Sequence, residues 1–216
     1  MFAMKPKSRN PHLSRIDKFD IKMSLTTMNL SKAICIDQDL RLIWVDAWSS
    51  PKLKKFVYRI AVYFRREFQY DFVQYSEDEQ DLTHRAFLFF SRASDKYYDK
   101  DIYRILGGGC FRQRKYQDFP ESYALKWIWI HPYMRRKGML TKAFDEFMNQ
   151  FEQFRVESPY SVEIKSFLEK GGSTWKIKAE NNSCEYLVIQ VPRSPDEFNQ
   201  ENDYFGQHKN GFPVLS

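Results

Sequence analysis

The chain has 216 residues, of which 43% are hydrophobic and 17% aromatic, including 19 Phe and 13 Tyr. This composition predicts a sizeable core and excludes disorder as the main state. The formal net charge of +6 suits anionic partners such as a phosphate-bearing cofactor, but Asp and Glu still number 28 and no nucleic-acid motif is present, so the charge does not favour nucleic acid.

The sequence also bears on membrane insertion, the redox compartment and metal binding. No stretch is long and apolar enough to span a membrane, and the polar, basic start does not resemble a secretion signal. Cys35, Cys110 and Cys184 show no Cys-x-x-Cys spacing. His84 and His208 show no spacing with carboxylates or Cys that is typical of a metal site. We therefore expect a cytoplasmic, reduced protein without a metal.

The chain is predicted to have three parts. Residues 1–30 are polar and basic and are interpreted as a loosely attached arm. Residues 31–192 carry the periodic patterns of one folded domain. Residues 193–216 are polar, with Pro and Asn, and are interpreted as a surface tail.

The first half of the domain predicts short strands around one long helix. Residues 32–36 and 41–45 flank Asp37-Gln38-Asp39 and predict a hairpin. Ser50-Pro51 predicts the start of a helix that continues to about Tyr70. The basic residues of that helix are interpreted as its solvated face: Lys52, Lys54, Lys55, Arg59, Arg65 and Arg66.

An acidic loop and two further strands follow. Residues 76–81 predict a solvated turn, and residues 85–91 a compact apolar strand. Residues 103–112 predict a strand interrupted by Gly107, Gly108 and Gly109. Glycines within a strand indicate a bulge or the close approach of another backbone or a ligand.

The most informative stretch runs from Leu125 to Phe154. Its Trp and Ile residues predict a strand that stops at Pro132, and a short basic loop with one glycine leads into a helix. The helix has its apolar residues on one side: Leu140, Ala143, Phe144, Phe147, Met148 and Phe151. Its free N–H groups and macrodipole predict an anion site.

Shorter elements complete the prediction. Residues 155–157 predict a strand, and residues 161–170 a second helix that ends at Gly171-Gly172. Residues 175–179 and 185–191 flank Asn181-Asn182 and predict a terminal hairpin.

The loop after the central strand resembles the acyl-CoA loop of the GNAT N-acetyltransferases. Ile130, Pro132, Arg135 and Gly138 match that pattern, while Leu140 stands where a small residue is expected. The resemblance extends from about Lys32 to Val191. It implies an α/β (α+β) fold with a central mixed, mostly antiparallel sheet flanked by helices. It also implies acetyl transfer from acetyl-CoA to an amine of a protein lysine or a small molecule.

The resemblance places acetyl-CoA along the strand end and the loop. The backbone N–H of Ile130 is the candidate donor to the thioester oxygen, and consecutive N–H groups near Gly138 would cradle the pyrophosphate. The full set of candidate cofactor-binding residues is Trp129, Ile130, His131, Arg135, Arg136, Lys137, Gly138, Met139, Leu140 and Lys142.

The family's usual acid and base are replaced in this sequence. Leu168 stands where the family commonly has a leaving-group Tyr, and Ala124 where a Glu often serves as base. The substitute candidate for the acid is Tyr160, with water as the alternative, and the candidates for the base are Glu121, Glu157 and Tyr160.

Two other functions stay open at this stage. The missing Tyr and Glu favour a non-catalytic acyl-CoA-binding or interaction module of the same fold. A basic nucleic-acid-binding protein would instead need the loop to hold a phosphodiester. A fainter likeness to the cohesin acetyltransferases covers residues 128–138 and 185–188. This chain lacks their Cys/His zinc finger and has Ser158-Pro159 where they have an acidic residue before Pro.

Overall fold

The computed structural model describes residues 24–25, 31–92, 103–115, 121–157, 160–171, 176–178, 186–190 and 214–215. The predicted arm and tail therefore lie outside the described residues, apart from residues 24–25 and 214–215. No helix in the described ranges has the length and apolar character needed to cross a membrane.

The chain divides into two units. The first unit contains residues 11–113 and 125–142, and the second contains residues 1–10, 114–124 and 143–216. Nothing in this division tests the boundaries expected at residues 30 and 192, which stay a prediction.

The first unit is built on an antiparallel sheet. Its strands are β1 (Ser24–Leu25), β2 (Ile34–Cys35), β3 (Arg41–Val45), β4 (His84–Arg92), β5 (Tyr103–Arg114) and β6 (Ser122–Ile130), the last two extending into the second unit. The strand order is β2-β3-β4-β5-β6, and β1 pairs with β5. The pairs β2–β3, β3–β4 and β4–β5 are antiparallel. These pairs confirm the predicted sheet type.

Helix α1 (Pro51–Phe68) supplies much of the core of the first unit. Pro51 occupies its first turn, where a missing N–H costs nothing, and Gln69 ends it in the left-handed conformation at φ 57°. The apolar side predicted from the sequence is buried: Leu53, Phe56, Val57, Ile60, Ala61 and Phe64. The helix packs this side against strand residues that include Ile43, Leu88 and Trp127.

One residue of the predicted solvated face is an exception. Lys54 is buried, and its Nζ donates a hydrogen bond to the backbone oxygen of Glu79 at 2.7 Å. The interpretation of Lys54 as solvated is therefore wrong. An apolar stem can be buried at low cost when its ammonium reaches a carbonyl.

The three glycines of β5 bring it close to its neighbours. A Cβ at Gly107 would lie 2.4 Å from the oxygen of Trp129, and one at Gly109 would lie 2.6 Å from the oxygen of Trp127. A Cβ at Gly108 would lie 2.5 Å from the oxygen of Phe87. The predicted close approach is confirmed, and the approaching groups are the backbones of β4 and β6.

The second unit holds the remaining elements. Helix α2 (Met139–Phe151) begins in the first unit and continues into the second, followed by β7 (Gln153–Glu157), β8 (Tyr160–Ser161), α3 (Val162–Lys170), β9 (Lys176–Lys178), β10 (Tyr186–Gln190) and β11 (Val214–Leu215). Strand β10 pairs antiparallel with both β7 and β9, which confirms the terminal hairpin. Strands β8 and β11 pair in parallel.

Aromatic side chains pack the interior of the second unit. The ring of Phe144 in α2 lies 5.3 Å from that of Phe154 in β7 and 4.8 Å from that of Phe167 in α3. Ser161 caps α3 by accepting a hydrogen bond from the N–H of Ile164, and Gly171 follows its last residue. The predicted second helix and its ends are thereby confirmed.

Candidate functional site

At the end of β6, one backbone edge faces β5 and the other edge points away from it. The oxygens of Trp127 and Trp129 face β5, and the N–H of His131 donates to Leu106 O at 2.8 Å. Because successive backbone groups of a strand point to opposite edges, the N–H of Ile130 points away from β5. The predicted thioester donor is therefore not used by that strand pair.

His131 builds the first turn of the loop. It precedes a short 3₁₀ helix (Pro132–Met134), its Nδ1 accepts from Tyr133 N at 3.3 Å, and its backbone oxygen accepts from Met134 N at 2.8 Å. The ring is buried between those of Trp129 and Tyr133, with centroids 5.8 and 5.4 Å away. These contacts indicate a structural role for the side chain.

Arg135 fixes the loop to both β6 and α1. Its Nε donates to Ile130 O at 2.8 Å, and its two terminal nitrogens each donate to a carboxylate oxygen of Glu67 at 2.7 Å. The same carboxylate accepts from the indole N–H of Trp129 at 2.7 Å. The Arg135 and Trp129 side chains, both predicted to bind cofactor, are thus engaged in holding the loop.

The loop presents a run of unpaired backbone N–H groups. Among the described residues, no acceptor faces the N–H groups from Arg136 to Thr141, and the helical bonds start with Lys142 N donating to Gly138 O. Arg136 and Gly138 have φ values of 60° and 73°. Alternating left-handed residues turn neighbouring N–H groups into a concave anion-binding nest.

Gly138 borders open space. A Cβ built at Gly138 would meet no atom within 4 Å, although its φ of 73° disfavours any other residue. Met139 is buried and Leu140 is half-buried, so Met139, and not Leu140, is the first residue that anchors α2. The two side chains face the protein, while their N–H groups contribute to the nest.

Basic side chains surround the nest. Those of Arg136 and Lys137 are exposed, and Lys142 pairs with Asp37 across a short hydrogen bond. This hydrogen bond is the main reason why the pKa of Asp37 is lowered. No acidic residue occurs between His131 and Lys142 in the sequence.

The three candidate catalytic residues all belong to the second unit. Glu121 is exposed immediately before β6, and Glu157 lies 3.2 Å from Arg114 in an ion pair. Tyr160 starts β8, and its side chain lies outside the described part of the chain. The structure brings Glu157 to a cation and does not test the catalytic role of any of the three.

Sequence reasoning missed Glu67. It is the single carboxylate in the basic last turns of α1, where Arg65, Arg66 and Glu67 adjoin. Its three hydrogen bonds join α1, β6 and the loop, 62 and 68 positions apart in the chain. An isolated carboxylate within a basic helix face indicates a hydrogen-bonding partner elsewhere in the chain. Only the structure shows that the partners are Trp129 and Arg135.

Neither a protein-family model nor a curated protein sequence matches this chain. Solved acetyltransferase structures do resemble it. AtaTR bound with AcCoA has 12% identity over 70% of this chain and 93% of its own, with a TM-score of 0.46. The microcin C7 self-immunity acetyltransferase MccE, in complex with acetyl-CoA and AMP, has 11% identity over 75% and 97%, with a TM-score of 0.45. The xEco2 acetyltransferase domain, bound to a K105-CoA conjugate, has 17% identity over 63% and 90%, with a TM-score of 0.43.

Proposed function

We propose that this protein is an N-acetyltransferase that binds acetyl-CoA at residues 135–142 and transfers its acetyl group to an amine. The observation that carries the proposal is the run of unpaired N–H groups from Arg136 to Thr141 around Gly138. Whatever covers these N–H groups and displaces water from them has to supply hydrogen-bond acceptors in its place, because an unpaired N–H group is costly once it is buried. A ligand rich in acceptors therefore suits this loop.

The phosphates of CoA supply such acceptors. A pyrophosphate at the start of α2 would receive N–H groups and the positive end of the helix macrodipole. Arg136 and Lys137 add positive charge at the exposed rim, and no nearby acid in the loop opposes it. The bidentate contact between Arg135 and Glu67 holds the loop in this conformation before the ligand arrives.

The backbone of β6 suits the acyl end of the same ligand. The N–H of Ile130 points away from β5, and a fixed N–H donor can stabilise a thioester oxygen as it gains charge. Such a donor contributes about 2.7–4 kcal/mol in the transition state of acyl-transfer enzymes. The fixed neighbours His131 and Arg135 keep the strand end in place.

The reaction needs few groups from the protein. The neutral amine nitrogen attacks the thioester carbonyl carbon, a C–N bond forms, and the C–S bond breaks. The amine loses one proton and the departing CoA thiolate takes one up. We propose Tyr160 as the proton donor to the thiolate, because a phenol with an ordinary pKa near 10 stays protonated at neutral pH. Water is the alternative donor, and Glu157 and Glu121 are the candidates for the base that takes the amine proton.

A pair of related ligands tests the binding step. Calorimetry with acetyl-CoA and with acetyl-pantetheine, which lacks the phosphates, should show at least about tenfold tighter binding of acetyl-CoA if charged hydrogen bonds to the phosphates contribute roughly 1.5–3 kcal/mol each. Equal affinities would contradict the assignment of the loop.

A non-catalytic acyl-CoA-binding module is the second candidate. It is favoured by Leu168 and Ala124, both completely buried apolar residues at positions where the family has its acid and base. Tyr160→Phe separates the two functions once an acceptor is found. In an enzyme that uses this phenol, kcat should fall by roughly 10²-fold with little change in acetyl-CoA affinity. An acetyl-CoA complex that acetylates no amine would select the module.

A further inference from the structure

A second cluster of charged groups lies in the loop between α1 and β4. Glu79 Oε2, Asp81 Oδ2 and His84 Nδ1 lie within 4.8 Å of one another. The imidazole nitrogen is 3.1 Å from the Glu79 oxygen and 3.9 Å from the Asp81 oxygen. All three residues belong to the first unit, so one local segment of chain makes the whole cluster.

We propose that Glu79, Asp81 and His84 form a binding site for a divalent transition-metal ion of the zinc class. One nitrogen and two carboxylate oxygens are donors that Zn²⁺ accepts at about 2.0–2.2 Å. In the tetrahedral geometry that Zn²⁺ prefers, bonds of that length place ligand atoms about 3.3–3.6 Å apart. The cluster atoms, which lie within 4.8 Å of one another, would therefore have to move together by about 1 Å where they are farthest apart.

The two carboxylates are oriented for such an ion by their own backbone. Glu79 Oε1 accepts from Asp81 N at 3.0 Å, and Asp81 Oδ1 accepts from Thr83 N at 2.9 Å. In each carboxylate one oxygen is therefore held, while the other is turned to the imidazole. Hydrogen bonds that fix ligand groups in this way strengthen metal binding.

His84 provides an independent indication of a missing ligand. Its side chain is 9% exposed, and neither ring nitrogen has a hydrogen-bond partner within the described ranges of the chain. Nδ1 nevertheless lies within ion-pair distance of Glu79 Oε2. A buried ring nitrogen without a partner is costly, and a metal ion at Nδ1 would satisfy that nitrogen.

Two nearby cationic side chains repel a metal ion and should weaken its binding. Arg112 Nη2 lies 3.6 Å from Asp81 Oδ2, too far for a hydrogen bond, and Lys54 Nζ holds the backbone oxygen of Glu79. Three protein ligands also leave a position for water. We therefore expect weaker binding than at a closed four-ligand site, and we expect removal of the Arg112 charge to strengthen it.

Zinc titration of the untagged full-length chain tests the proposal. Calorimetry is done in a Cys35→Ser background, because Cys35 is an exposed free thiol. Glu79→Gln and His84→Ala should each weaken Zn²⁺ binding by at least about 100-fold, since loss of groups behind the ligands already costs about 10–100-fold. Arg112→Gln should tighten it several-fold.

Matched variants decide the outcome. Glu77→Gln and Asp78→Asn remove exposed carboxylates from the same loop and should leave Zn²⁺ affinity unchanged. Zn²⁺ should raise the melting temperature of the parent protein and not that of Glu79→Gln. The proposal is overturned if the parent binds no Zn²⁺, or if Asp78→Asn weakens binding as much as Glu79→Gln does. Circular dichroism of Glu79→Gln, a change without loss of volume, excludes unfolding as the cause.

Discussion

The loop after β6 and the loop before β4 are proposed to bind ions of opposite sign, and they are built in opposite ways. In residues 135–142 the backbone N–H groups face outward without partners, and the anchoring is done by the Arg135 side chain. In residues 79–84 the backbone N–H groups bind carboxylates of the loop itself, and side-chain atoms are left without partners.

This difference predicts how each site responds to substitution. A site of backbone N–H groups depends on chain conformation, so it tolerates changes in exposed side chains and fails when the turn is blocked. A site of three side chains fails when any one of them is replaced. Substitutions at Gly138, Glu67, Arg136 and Lys137 test the first half of this contrast, and the zinc titration tests the second.

Gly138→Trp should have the largest effect. The indole would occupy the open space at Gly138, beside the unpaired N–H groups of its neighbours, and a side chain at φ 73° is strained by roughly 1–2 kcal/mol. We expect no measurable acetyl-CoA binding by calorimetry, with a native circular dichroism spectrum.

A second glycine supplies the control for Gly138→Trp. Gly171 has φ 66° and ψ −179°, a conformation essentially confined to glycine, and follows the last residue of α3, so Gly171→Trp strains the backbone outside the loop. Its acetyl-CoA affinity should equal that of the parent. Unchanged affinity in a folded Gly138→Trp protein would remove acetyl-CoA from this loop.

Replacement of Glu67 should act through the anchor of the loop. Glu67→Leu leaves the buried indole N–H of Trp129 without its acceptor and frees Arg135, so the free energy of unfolding should fall by about 1–3 kcal/mol. Glu67→Gln keeps an acceptor for the indole and should lose less. Urea denaturation of both variants measures the difference, and equal losses would show that the indole contact contributes nothing.

Neutralising the exposed side chains of Arg136 and Lys137 should have the smallest effect on acetyl-CoA binding. The double variant Arg136→Ala, Lys137→Ala should weaken acetyl-CoA binding by about fivefold and reduce its salt dependence, because an exposed charge pair contributes roughly 0.2–1 kcal/mol. Lys55→Ala, Arg59→Ala removes the same charge from the exposed side of α1 and is the control. Equal effects of the two double variants would show that only net charge matters.

Local patterns were sufficient to predict most elements of the fold. The apolar spacing of α1 and α2 and the glycine at the end of α3 each depend on neighbours within a few residues. The same is true of the loop, since Pro132, Arg135 and Gly138 lie within seven positions. The nest is thus visible in the sequence because the chain segment that forms it is continuous.

Contacts across the sheet could not be predicted in this way. Glu67 meets Arg135 only because α1 packs beside the end of β6, and Lys54 is buried because Glu79 O lies within reach. The pairing of β10 with β7 likewise joins distant segments. Glu79, Asp81 and His84 lie close together in the sequence, but their spacing is not typical of a metal site, and the burial of the His84 ring nitrogens was not visible.

The most direct test of the central claim is an amide NMR titration of the protein with acetyl-CoA. The largest proton shifts should fall on the backbone N–H groups of residues 136–141, because new acceptors at those groups change their hydrogen bonding most. A titration that shifts other residues and leaves these amides unchanged would contradict the account.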